Sequence, residues 1–402
     1  MRIVIFGGSF NPPHKGHLSA ARAAIDALEP DLFLAIPACL PPHKRQPDGT
    51  PDPETRLALC RLNFAEMPEV TVSDMEVQRG GKSFTSDTIR ALEAQYPGAE
   101  LLLLVGTDMF LTLDQWHEPD HILHHAAICA LPRAEGELPT LREKAEELQS
   151  RYGARVRLLD VTPTEASSTE IRAMLPRRRG VAYLMDAVYG DIIRNHLYAV
   201  RINYPWLRRK AYAMLNRKRI PHVKGCEKEA MSLAKRWMES GNTDWAATAA
   251  ILHDCTKKET LSEQLMLCEK YGIIPDATER VNAKLLHAKT GAAIALHEFG
   301  VHPEVAEAIR WHTTGRANMK LLEKILYMAD YIEPTRNFVG VETLRRLAYE
   351  DLDAALLLGL EMSVEDVLSR GDTVHSDTQD AIFYLKEHGT TIPEYVKGDH
   401  LC

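Results

Sequence analysis

Nothing in this 402-residue chain runs apolar for the roughly 18 residues that a bilayer-spanning helix needs, which excludes a helical membrane protein. No secretory leader is expected either, because Met1–Phe6 runs directly into a glycine-rich turn. No C-x-x-C pair occurs. The seven cysteines (Cys39, Cys60, Cys129, Cys226, Cys255, Cys268, Cys402) are scattered and odd in number, which fits reduced thiols in a cytoplasmic protein. An excess of positive charge is also lacking: the net charge of −8 argues against nucleic acid as a partner. Internal repeats and low-complexity tracts are absent. A composition of 45% apolar and 26% charged residues remains, over a length too great for one ordinary core.

Two grammars divide the chain. Up to about residue 200, short apolar runs (2–6, 32–36, 70–72, 101–105, 127–131, 156–159) alternate with helical segments (near 16–28, 54–66, 85–96, 139–152 and 168–174). This alternation predicts an α/β, Rossmann-like parallel sheet over 1–200, with ligands beyond the carboxyl ends of the strands. From about Pro205 the strand-like runs stop and amphipathic helical periodicity continues, predicting an all-α bundle over 205–390. The basic stretches Arg208-Arg209-Lys210 and Arg217-Lys218-Arg219 read as a solvated helix face after the domain junction.

The richest segment is Gly7-Gly8-Ser9-Phe10-Asn11-Pro12-Pro13-His14-Lys15-Gly16-His17. It follows the uninterrupted apolar run Ile3–Phe6 and precedes Leu18, Ala21, Ile25 and Leu28 at helical spacing. Paired glycines let the backbone approach a phosphate, and the free N–H groups of a helix start favour an anion. Two histidines three residues apart add side-chain donors at that point. Further candidates follow: Lys44 after the second strand, Gly106 and Asp108 after Leu101–Val105, then Trp116, whose indole could stack on a flat heterocycle. Ser167 and Glu170 fit a helix-capping box, with Arg172 one turn inside the helix.

The eleven-residue segment resembles the (H/T)xGH signature of the nucleotidyltransferase superfamily, and within it the bacterial nicotinate-nucleotide adenylyltransferases. Ser83-Phe84-Thr85-Ser86-Asp87-Thr88 and Ser167-Ser168-Thr169-Glu170-Ile171-Arg172 resemble two further segments of that family, in family order. The resemblance implies in-line attack of nicotinate mononucleotide on the α-phosphorus of ATP, giving deamido-NAD and pyrophosphate. The acceptor is already anionic, so catalysis is positioning and charge stabilisation rather than general-base work. It also implies an ATP site of Gly7, Gly8, Ser9, Phe10, His17, Gly106, Asp108, Ser167, Ser168 and Arg172, with His14 holding the triphosphate. Mg²⁺ would bridge the oxygens of the leaving pyrophosphate. Lys44, Thr85, Trp116 and Arg133 would hold the mononucleotide. His117 departs from the family, which often has an aromatic residue there. Nicotinamide mononucleotide stays open as an alternative acceptor.

In the helical half, His222, His253-Asp254, His287, His312 and Asp330 stand in the order H…HD…H…H…D, each in a helical context. Imidazoles and carboxylates in this number suit two divalent transition ions. His297, His302, His375 and His388 lack such contexts. The pattern is similar to the HD-domain phosphohydrolase superfamily, and Arg219-Ile220-Pro221-His222 with His312-Thr313-Thr314-Gly315 resemble the YqeK group. That resemblance implies symmetrical hydrolysis of diadenosine tetraphosphate to two ADP at a di-metal site, with iron favoured and Lys257 stabilising developing charge. Another phosphoester substrate, or a non-catalytic nucleotide sensor, stays open. The sequence is compatible with a homo-oligomer, and the reading as a whole is a bifunctional cytoplasmic enzyme.

Overall fold

The computed structural model describes residues 1–42, 46–159, 166–239 and 243–397. It divides into two compact units, Met1–Asn203 and Tyr204–Cys402.

The first unit holds a six-stranded parallel sheet: β1 (Arg2–Gly8), β2 (Leu32–Pro37), β3 (Val70–Val72), β4 (Glu100–Gly106), β5 (Ala126–Leu131) and β6 (Val156–Leu158). Its helices are α1 (Lys15–Leu28), α2 (Pro53–Phe64), α3 (Met75–Arg79), α4 (Thr85–Gln95), α5 (Thr107–Phe110), α6 (Pro119–His125), α7 (Leu138–Tyr152), α8 (Ser168–Met174) and α9 (Asp186–Arg194). The uninterrupted apolar strands exist because both sheet faces are covered. Ile3 and Ile5 of β1, Leu101 and Leu103 of β4 and Ile128 of β5 pack into one core layer. Their neighbours Val4, Leu102, Leu104 and Cys129 pack into the layer on the opposite face.

The strand order is β3-β2-β1-β4-β5-β6. The order in which successive strands are laid down therefore reverses between the parallel strands β1 and β4, and the crevice beyond their carboxyl ends is the natural ligand position. Local signals set the helix starts. Asp52 accepts a hydrogen bond from the Thr55 amide (2.7 Å) with Pro53 at the first helical position of α2. The helix α9 falls in a stretch where the sequence predicts no element. Its buried residues Val188, Tyr189, Ile192 and Ile193 form one helix face, interrupted by Gly190, too short a pattern to stand out.

The second unit comprises α10 (Tyr204–Ala213), α11 (Ile220–Trp237), α12 (Thr243–Leu252), α13 (Leu261–Tyr271), α14 (Ala283–Phe299), α15 (Pro303–Trp311), α16 (Leu321–Ile332), α17 (Val341–Glu350), α18 (Leu352–Ser369), α19 (Ser376–Glu387) and α20 (Glu394–Lys397). No strand occurs among its described residues. Residues Ala246–Leu252 of α12 are all buried, so this helix is apolar all round and runs through the bundle centre between α11, α15 and α16. Among the described residues no helix is long and apolar enough to cross a membrane. The six described cysteines are buried free thiols.

Arg208 and Arg219 depart from a solvated basic face. Arg208 grips the buried carboxylate of Glu227 through two nitrogens (3.0 and 2.6 Å), and Arg219 reaches Asp254 at 2.5 Å. Buried carboxylates in the bundle recruit these cations inward.

Candidate phosphate and metal sites

In the first unit, a cleft of about 660 Å³ opens at the switch between β1 and β4. The glycine turn, the start of α1, the end of β4 and the start of α8 form its walls. His14 caps α1 in extended backbone, and its ring lies 3.8 Å from that of His17. The backbone amide of His14 donates to Nδ1 of His17 (3.1 Å), so the neutral His17 ring must carry its proton on Nε2. Burial, reinforced by Arg133, pushes His14 down to about 4. Burial, with His14 and Arg133 beside it, holds His17 well below the usual histidine range. Both rings are therefore neutral at pH 7, and His17 offers an N–H donor without adding a charge.

Gly16 is required by this packing, since a Cβ there would lie 2.9 Å from His14 Nδ1. Likewise a Cβ on Gly106 would lie 2.7 Å from Arg133 Nε, so the glycine lets the arginine cross the end of β4. Arg172 donates to the carbonyl of Asn11 and to Thr169 Oγ1 (3.1 Å), while Ser168 donates to the Pro12 carbonyl (2.9 Å). These bonds tie α8 to the glycine turn and leave part of the guanidinium facing the cleft.

Gly7, Gly8, Ser9, His14, His17, Thr85, Gly106, Trp116, Arg133, Ser167, Ser168 and Arg172 come together around the cleft. Two expected ATP contacts do not. Phe10 is buried beneath the site, its ring 4.8 Å from His17, because the turn folds it into the core. Asp108 lies outside the lining and pairs with Arg133 Nη1 (2.6 Å). The capping box expected at Ser167 is also absent: its side chain makes no capping bond. Lys44 lies outside the described residues. His117 stacks on Phe84, with centroids 4.2 Å apart. Sequence reasoning missed Glu137, which accepts from Thr107 Oγ1 and from the Arg133 amide (2.5 and 2.7 Å) and so joins the ends of β4 and β5. Nothing in its local sequence marks it.

In the second unit, His222 comes from α11, His253 and Asp254 follow α12, His287 lies on α14, His312 ends α15 and Asp330 lies on α16. These six residues converge. Three overlapping groups, His222–His253–Asp254, His253–His312–Asp330 and Asp254–His287–His312, each bring ligand atoms within 4.8 Å of one another. Nδ1 of His253, His287 and His312 donates to the carbonyls of Ala250, Lys284 and Ile309 (2.7, 2.7 and 2.6 Å). Each ring therefore turns Nε2 into the cluster. Nδ1 of His222 meets Glu333 Oε1 at 3.0 Å. A carboxylate behind a ligating imidazole is the usual outer support of a metal site.

Burial and Lys257 push His287 down to about 3, and burial lowers His312. For Asp254 and Asp330, burial favours the acid form, but the surrounding histidines outweigh it and hold both well below the carboxylate range. Asp254 Oδ1 is buried and accepts no hydrogen bond. A buried carboxylate oxygen with no hydrogen bond, set among inward Nε2 atoms with the Lys257 ammonium at ion-pair distance, fits a divalent transition ion, the donor set being imidazole and carboxylate. Arg219, Lys257 (3.4 Å from Asp254) and Arg336 (2.8 Å from Asp330) surround the cluster. Glu333 and Arg336 were missed by sequence reasoning, although both follow Asp330 within two helical turns. The histidines outside the pattern have local roles: His302 and His375 cap helices, and His297 and His388 stack on Tyr271 and Tyr384.

Fold and sites together define an α/β domain with a cleft at its strand switch point and a helical domain with a His/Asp cluster. Residues 5–174 match the cytidylyltransferase-like family and residues 219–335 the HD domain. A probable nicotinate-nucleotide adenylyltransferase of Gemmatimonas aurantiaca is 37% identical over 201 residues, 49% of this chain and 92% of that protein. Its counterpart in Geobacter sulfurreducens is 36% identical over 214 residues, 50% of this chain and 99% of that one. Through its first half the chain belongs to the nicotinate-nucleotide adenylyltransferase family. A solved structure from Clostridium acetobutylicum, described as a "predicted HD superfamily hydrolase involved in NAD metabolism", is 37% identical. It covers 46% of this chain and 97% of its own, with a TM-score of 0.44.

The buried histidines make stability pH-dependent. His14 and His17 bind protons less readily folded than unfolded, so their contribution is complete above the unfolded value of about 6.5 and is lost as pH falls, for His14 through about 4. Urea unfolding followed across that window should show up to about 3 kcal/mol lost for His14 alone, and His14→Gln should flatten the slope. For the cluster, Glu333→Gln should weaken metal binding by about 10- to 100-fold, measured by competition with a chelator.

Proposed function

We propose that the first unit transfers the adenylyl group of ATP to nicotinate mononucleotide, releasing pyrophosphate. The neutral His17 donor at the β1/β4 switch carries this reading. A donor aimed at the α-phosphate stabilises charge as it builds in the transition state, and neutrality avoids an ion pair with the ground state. Arg172 and Ser168, beside the exposed start of α8, hold the leaving pyrophosphate, and Mg²⁺ bound with ATP would supply further charge neutralisation there. Gly7 and Gly8 admit the triphosphate to backbone distance, and His14 supports it. Thr85, Trp116 and Arg133 form the mononucleotide side, with Lys44 assigned there by resemblance alone. The names of the relatives support nicotinate mononucleotide as the acceptor.

The second unit, in this reading, hydrolyses a dinucleoside polyphosphate, with diadenosine tetraphosphate cleaved to two ADP. The six converging ligands would hold two divalent ions, iron by resemblance, which supply Lewis-acid activation of water and charge neutralisation at phosphorus. The backbone carbonyls on Nδ1 orient the imidazoles, and Glu333 orients His222. Lys257, Arg219 and Arg336 offer cations to the phosphate chain.

An acceptor panel with ATP tests the first activity. Nicotinate mononucleotide should be preferred over nicotinamide mononucleotide, and His17→Ala should lower kcat by roughly 100- to 1,000-fold with KM nearly unchanged. Preference for the amide would reassign the acceptor. For the second, metal-replete protein and diadenosine tetraphosphate should yield ADP as sole product, separated by ion exchange, and His253→Ala/Asp254→Ala should yield none. AMP with ATP as products would mean asymmetrical cleavage, and binding without turnover would mean a sensor.

A further inference from the structure

A second cluster of ligating side chains lies in the first unit, away from the cleft. His121 and His125 are four residues apart on α6, so their rings share one helix face and stack with centroids 4.1 Å apart. Glu93, on the neighbouring α4, brings Oε1 to 2.5 Å from His125 Nδ1. One nitrogen from each histidine and one oxygen of Glu93 all lie within 4.8 Å of one another. None of the three lines the phosphate cleft.

We propose that Glu93, His121 and His125 form a separate binding site for a single divalent transition ion of the zinc class. A simple His125–Glu93 hydrogen bond would use only two of the three groups. It leaves His121 Nε2 buried without a hydrogen-bond partner, an omission that an ion shared by both rings explains. Two imidazoles and one carboxylate suit Zn²⁺, Co²⁺ or Ni²⁺ and not Mg²⁺, which prefers all-oxygen surroundings. The other charges facing the cluster are largely matched, since Arg90 pairs with Glu118 (2.6 Å) and with Asp87 (3.4 Å). His125 is the last residue of α6, where the negative end of the helix dipole favours a cation. The ion would tie α6 to α4, whose first residue, Thr85, lines the cleft.

The test uses the full chain carrying His253→Ala/Asp254→Ala, stripped of metal and titrated with Co²⁺ by equilibrium dialysis and visible absorption. That background disables the cluster of the second unit. One bound equivalent is expected, displaced by Zn²⁺ and not by Mg²⁺, and lost when His121→Ala/His125→Ala is added. Glu93→Gln should weaken it by about 10- to 100-fold, and His124→Ala should leave it unchanged. All three positions are partly exposed, and far-UV circular dichroism checks that each variant folds. Absence of a bound equivalent in this background, or an equal one in the His121→Ala/His125→Ala chain, would overturn the proposal.

Discussion

The chemistry of both units depends on which nitrogen of a buried imidazole the backbone engages. In the first unit a backbone N–H points at His17 Nδ1, so that atom must accept and the proton of the neutral ring sits on Nε2, making that nitrogen a donor. In the second unit backbone carbonyls face Nδ1 of His253, His287 and His312, so those atoms donate and Nε2 turns inward as a ligand. One side chain thus serves two opposite roles, and the sign is set by a main-chain group. Burial completes the selection for His17, His287 and His312, because desolvation disfavours the imidazolium, whose second N–H would oppose the His14 amide in the first unit and whose Nε2 could not ligate in the second.

The sites differ in how they treat carboxylates. Around the cleft the acidic groups are engaged by other partners: Glu137 holds backbone, Asp108 is turned onto Arg133, and Glu76, which lines the cleft, accepts from Thr88 Oγ1 at 2.6 Å. The glycines, neutral histidines and Arg172 of the lining make a setting for anions. Around the HD cluster, Asp254 is buried, Asp330 is half-buried, and Glu333 stands behind His222. Arg219, Lys257 and Arg336 offset that charge, an arrangement consistent with a cluster that binds cations.

Much of this was legible in the residues. All six strands fall where short apolar runs predicted them: the four central strands are buried on both faces and so carry no polar interruption, while the edge strands β3 and β6 each tolerate one exposed polar residue, Thr71 and Arg157. The six His and Asp positions of the second unit stand out for a similar reason, as polar groups set into apolar helical periodicity. Other features carry no local signal. Phe10 sits in the phosphate-binding segment yet packs into the core, and Arg219 sits in a basic run yet reaches a buried aspartate. Glu137, Glu333 and Arg336 act on partners contributed by other segments or by the turn after a helix.

The sequence by itself determined the α/β and all-α halves, the glycine turn with its paired histidines, and the types of ligand available in the second half. These are properties of periodicity and residue chemistry over short spans. The tertiary structure alone decided the strand order that puts the switch point at β1/β4, the tautomer each histidine presents, and the convergence of residues between 222 and 330 on one centre. It also brought Glu93 to His125, across 32 positions of chain. Such outcomes depend on long-range packing and burial, which set both distances and proton affinities and leave no trace in any one stretch of residues.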